Sequence, residues 1–153
     1  LYAKNLDYAR RLVADVPDEK IAFQPAAKVN HPAWVIGHLA RTSDFAGSFV
    51  GLAGVTPAEW GDLFGGRSTP VGERGKYPAM AELLAALERG HARIAEALAQ
   101  RSPADLDAVN PNEKFRERWP TVGHALLHIL ISHENLHLGQ LSAWRRMQGL
   151  PMG

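Results

Sequence analysis

Residues 124–151, HALLHILISHENLHLGQLSAWRRMQGLP, place four histidines within fourteen positions of a leucine-rich, helically periodic stretch. At roughly 100° per residue, Val122, Leu126, Ile129, Leu130, Leu136, Trp144 and Met147 gather on one side, and His133 and His137 lie near the centre of that side. On the same projection His124 and His128 share the opposite, polar face with Ser132, Asn135, Ser142 and Arg146. The helix is expected to begin near Pro120 and to stop at Gly149, a glycine placed to take the left-handed conformation that ends helices.

Working outward, three further segments repeat apolar residues at helical spacing, and none alternates as a strand would. The first runs from about Leu1 to Val16, with Leu6, Val13 and Val16 facing inward. The second opens at NHPAW, where Asn30 or His31 can cap and Pro32 suits the first turn, and fades at the glycines of FVGLAG. The third spans Pro78 to about Gln100, with Met80, Leu83, Leu84, Leu87, Ile94 and Leu98 in register. Residues 53–77 are too rich in Gly and Pro for a long helix and too long for a plain connector, so they form a loop that either covers a site or is a tolerated insertion. The expected fold is all-α, a four-helix bundle forming a single domain over residues 1–153.

Composition removes several function classes. The chain has no cysteine, so it has neither disulfides nor thiolate metal ligands, and any metal must rest on His, Asp or Glu. Seventeen basic and sixteen acidic residues are mixed along the chain for a net charge of +1, which offers no footprint for nucleic acid or an anionic membrane. No apolar run reaches the roughly 20 residues of a membrane span, and LYAKNLDYAR at the start is polar and amphipathic, so a soluble, cytoplasmic protein is expected.

On the second helix His38 falls inside the aromatic stripe of Trp34, Phe45, Phe49 and Leu52. A single inward histidine is ordinarily a satisfied core residue. Three are different: His133 and His137 are four apart on one face, the spacing at which two rings reach one cation, and three buried imidazoles without a shared partner would each lose about 1–3 kcal/mol. His38, His133 and His137 are therefore the expected ligands of one divalent ion, with remaining positions left for water or substrate. His91, on the inward stripe of the third helix, can be a fourth ligand, a supporting group, a base or a core residue. Glu134 sits at the edge of the stripe, where a solvated carboxylate is favoured over a catalytic base, and Gln140 can orient a ligand or substrate. Trp60, Phe64 and Arg67 of the long loop are the expected substrate contacts.

HPAWVIGHLA, the long loop and the closing stretch together resemble the DinB-like (YfiT-like) superfamily of metal-dependent enzymes over nearly the whole chain. The most specific features are the GHLA histidine, His38, and the run HENLHLGQ that holds His133 and His137. Leu138 stands where a more polar residue is expected, which would alter the pocket rim. The resemblance implies an up-down-down-up bundle, zinc or nickel as the ion, a homodimer, and a low-molecular-weight thiol as co-substrate of a transferase or isomerase. A metal-bound thiolate or hydroxide would then be the nucleophile of an S-transferase or a hydrolase, since the sequence offers no cysteine and no serine in an elbow motif. A non-catalytic, metal-stabilised binding or stress-response module is the competing reading. HENLH also fits the HExxH pattern of zinc proteases, but too little chain follows His137 for a further ligand and no sheet is expected to align a peptide.

Overall fold

The computed structural model describes residues 1–151, and among these the chain is helical, with one isolated bridge, between Val109 and Thr121, in place of any strand. The helices are α1 (Tyr2–Val13), α2 (Pro32–Ser48), the short α3 (Trp60–Phe64), α4 (Met80–Ala99), the short α5 (Pro103–Asp107), α6 (Val122–Leu127) and α7 (Glu134–Met147). A π-helical segment, His128–His133, joins α6 to α7 without a break. No helix among the described residues is long and apolar enough to cross a membrane.

Local chemistry sets most of the ends. His31 caps α2, its Nδ1 accepting from the Trp34 amide at 3.2 Å, with Pro32 following it in the first turn. Asn30 instead reaches across to Gln140. At the other end of the chain Gly149 adopts φ of 71°, and the amides of Gly149 and Leu150 close back on the carbonyls of Arg146 and Arg145. These two bonds satisfy carbonyls that the end of α7 would otherwise leave bare.

The long helices pack side by side: α2 lies against α4 and α7, and α1 against the same two. The α2–α4 approach is close because Gly90 faces Ser43; a Cβ at Gly90 would stand 2.7 Å from the Ser43 Cβ. One apolar cluster, including Leu12, Ile36, Leu83, Leu141 and Trp144, fills the space among α1, α2, α4 and α7. A second, including Ala46, Ile94, Leu126 and Ile129, fills the far end beneath α6. Arg145, buried on α7, donates to the carbonyl of Leu12 and pairs with Asp15, tying the end of α7 to the end of α1.

Several sequence expectations need correction. The closing helix is not a uniform α-helix: the π segment adds the equivalent of one residue and turns everything after it by roughly 100°. Leu136 (60% exposed) and Met147 (54%) are therefore exposed, whereas Leu138 is buried in the core, away from the rim position expected of it. Residues 53–77 are not plain loop either, because α3 within them plants Trp60 and Phe64 in the core.

Candidate metal centre

Three rings meet where α2 crosses the junction of the π segment with α7. The Nε2 atoms of His38 and His137 each lie 3.2 Å from the Nε2 of His133, and one ligand atom from each residue falls within 4.8 Å of the others. His38 and His137 are buried and His133 is half-buried. Trp34 stacks on His38 with ring centres 4.6 Å apart, which fixes the plane of that imidazole.

Counting protons shows what this arrangement lacks. His38 Nδ1 faces the carbonyl of Phe64 at 2.7 Å, so Nδ1 carries the proton and Nε2 presents a lone pair. His137 Nδ1 likewise donates to Gln140 Oε1 at 2.9 Å, and the Gln140 oxygen is held in turn by Asn30 Nδ2. His133 Nδ1 is buried without a partner. If the single proton of His133 sits on Nε2, it satisfies only one of the two facing lone pairs and leaves Nδ1 bare; if it sits on Nδ1, three lone pairs point at one another. Extra protons do not relieve the problem. Burial, reinforced by the neighbouring imidazoles, pushes His133 down to about 3 and His137 to about 4, and burial also lowers His38. A divalent cation accepts all three lone pairs at once, so this donor set fits one.

His38 and His133 line a cavity of about 1180 Å³, and His137 adjoins them without lining it. Its lining includes Phe45 and Thr42 of α2, Phe64 of α3, and Phe115 and Trp119 from the connection between α5 and α6. Phe64 thus both borders the cavity and, through its carbonyl, orients His38. Trp60 and Arg67 do not line it: Trp60 is in the core and Arg67 is exposed. Phe115 and Trp119 went unnoticed in the sequence, although the run FRERWP, residues 115–120, interleaves aromatic and basic residues in a stretch with no helical period. His128 is also a correction. It does not lie on the face opposite His133 and His137 but borders the cavity, its ring 4.8 Å from Trp119 and 6.4 Å from His133.

Glu134 and His91 stand apart from the cavity lining. Glu134, expected on a solvated flank, is 3% exposed; its Oε1 accepts from His91 Nε2 at 2.9 Å and its Oε2 from Asn5 Nδ2 at 3.1 Å. Asn5 also reaches the carbonyl of Leu130, inside the π segment. Tyr2 stacks on His91 at 3.8 Å, and burial together with Glu134 raises its hydroxyl pKa. These residues bind α1 and α4 to the turn that carries His133, on the core side of that helix.

The fold and the site together define an all-helical protein with a three-histidine group beside a pocket. The profile of the DinB superfamily matches residues 1–141, and the chain belongs to that superfamily. No curated protein matches the chain.

Proposed function

We propose that the chain is a divalent-metal-dependent enzyme, an S-transferase that uses a low-molecular-weight thiol or a related hydrolase, with His38, His133 and His137 holding zinc or nickel. The observation that carries the reading is the convergence of three Nε2 atoms, two of them left as lone pairs by their own Nδ1 partners, beside a cavity that His38 and His133 line. A divalent ion held there lowers the pKa of a coordinated thiol or water toward neutrality.

The chain's own residues do the rest. Phe64 and Gln140 hold the proton on Nδ1 of His38 and His137, which keeps the opposite nitrogens available and the rings in one orientation. Trp34, stacked on His38, holds that ring in its plane. The volume, about 1180 Å³, exceeds the range of about 300–1000 Å³ usual for one drug-sized ligand, and this supports two reactants side by side. His91 is engaged by Glu134 and does not join the three-histidine group, which favours an open coordination sphere over the closed one of a purely structural metal. The reading includes an up-down-down-up bundle and a homodimeric state, which rest on the family resemblance, and a cytoplasmic location, which rests on the polar opening stretch and the lack of a membrane-length apolar run.

The test is metal content by mass spectrometry on protein purified without an affinity-tag metal, for wild type and for His133→Ala/His137→Ala. About one ion per chain in wild type and none in the variant supports the centre. Turnover of an electrophile by the loaded wild type with glutathione, bacillithiol or mycothiol then supports the transferase. A folded wild type that takes up no divalent ion overturns the reading.

A further inference from the structure

The cavity wall carries charge that the three histidines do not explain. Arg41 lies one turn beyond His38 on α2, on the same face as His38 and Phe45, and borders the cavity. Arg118 borders it from the connection before α6, its guanidinium 5.5 Å from the centre of the Trp119 ring. Among the described residues neither arginine has a carboxylate within ion-pair distance, in contrast to Arg116, near Arg118 in the same connection, which pairs with Glu113. The one carboxylate on the cavity wall, Asp44, is already engaged: its oxygens accept from the amides of Val55 and Thr56 and from the Thr56 hydroxyl. Two guanidiniums against one carboxylate leave the lining positive even before any cation is added.

The same cavity is lined by a row of aromatic rings. Phe45 meets Phe115 edge-on at 5.9 Å, Phe115 stacks on Trp119 at 5.0 Å, and Trp119 leads to His128 at 4.8 Å. A row of rings binds planar apolar bodies through area and stacking, and a guanidinium free of partners binds a carboxylate or similar anion through paired N–H donors. We propose that the cavity takes an amphipathic organic anion, a molecule with an aromatic body along Phe45, Phe115 and Trp119 and a carboxylate-type group held by Arg41 and Arg118. This deepens the enzyme reading by naming the class of its second reactant, the electrophile or hydrolysed compound, and it rests on that reading only for what happens to the ligand after binding.

The test is calorimetric titration with a matched pair of probes, 2-naphthoate and the neutral 2-naphthylmethanol. Each is titrated into wild type, Arg41→Gln/Arg118→Gln and Trp119→Ala, in zinc-loaded and metal-free forms. In wild type the acid is expected to bind about tenfold more tightly than the alcohol, the equivalent of one charge-assisted contact, with or without zinc. The double arginine variant should bind both probes alike while keeping its melting temperature and zinc content, and Trp119→Ala should weaken both in parallel. Equal binding of the two probes by wild type overturns the proposal, as does a preference that survives loss of both arginines. A preference present only with zinc assigns the anion to the cation and also overturns it. Because the metal-free arm is read separately, a chain that proves to hold no metal defeats the enzyme reading and still decides the anion site.

Discussion

Gly37→Ala sets a general rule against a particular contact. Gly37 lies inside α2, where alanine is the better helix former by about 1 kcal/mol, so propensity alone predicts a more stable protein. A Cβ at that position, however, would stand 2.3 Å from Cε1, 2.5 Å from Cδ1 and 2.5 Å from Cζ of Phe64. Carbon atoms in contact sit about 3.5–4.0 Å apart, so the ring must retreat by roughly an ångström or more. It has little room: Phe64 is fully buried, with Trp60 edge-on at 5.1 Å and Tyr77 at 5.9 Å. Overpacking of this kind costs typically 1–3 kcal/mol, and with three ring atoms in conflict the upper end applies, leaving a net loss of about 2 kcal/mol after the helix gain. For a chain of this size that lowers the melting temperature by about 4–8 °C. The site should suffer as well, because the Phe64 carbonyl accepts from His38 Nδ1 at 2.7 Å and moves with its residue; loss of such a supporting contact weakens metal binding about 10- to 100-fold. Thermal and urea denaturation give the first number, and competition with a zinc indicator gives the second. Adding Phe64→Leu, which removes part of the ring, should recover some of the stability. A Gly37→Ala protein that melts at or above wild type and holds zinc as tightly would refute the reasoning.

Chelation of loaded protein should lower its melting temperature by mass action, by the equivalent of about 4 kcal/mol if free metal had stood at a thousand times Kd, and His133→Ala should abolish that response while the fold persists, as followed by scanning calorimetry with and without chelator. Glu134→Ala, which strips the partner from His91 and Asn5 in a closed interior, should cost about 2–4 kcal/mol, with Glu134→Gln milder in urea melts. Acid should weaken the fold through His31: burial lowers its pKa from 6.5 to about 4, its Nδ1 must stay bare to cap α2, and its Nε2 is held by Val71. Between those values the unfolded chain binds the proton more readily, so stability is intact above pH 6.5 and falls toward pH 4 by about 3 kcal/mol in total. His31→Asn keeps a capping side chain without that titration, and its denaturation midpoint should be less sensitive to pH over this window than that of wild type.

How far the sequence could be read depended on whether chemistry was local. The cap at His31, the stop at Gly149 and the helical period each involve residues a few positions apart, so pattern alone locates them. The three-histidine group was legible because three polar rings stood on apolar faces. What escaped was long-range or register-dependent. The wall of Phe115 and Trp119 comes from an irregular connection whose residues acquire a common face only when packed on α2 and His128. The π segment escaped because periodicity cannot report one added residue inside a run with histidine, leucine or isoleucine at most positions.

That one residue accounts for most of the errors in the closing helix. In an uninterrupted α-helix Glu134 lies roughly 140° from Ile129, on the flank; with the added residue the angle falls to roughly 40°, which carries the carboxylate into the core to meet His91 and Asn5. His128 and His133 are likewise five apart, and the same change moves them from roughly 140° to roughly 40°, so His128 joins the cavity instead of the opposite face. Leu136 moves the other way, from roughly 20° off Ile129 to roughly 120°, and is exposed. Asn5 donates to the carbonyl of Leu130 within the segment and to Glu134 just after it, so α1 holds both sides of the distortion. The insertion therefore places a hydrogen-bonded carboxylate behind the three-histidine group and brings His128 to the cavity with a single change of register. π segments of this kind are frequent at functional sites; here the segment ends on His133, the ring whose Nδ1 has no partner.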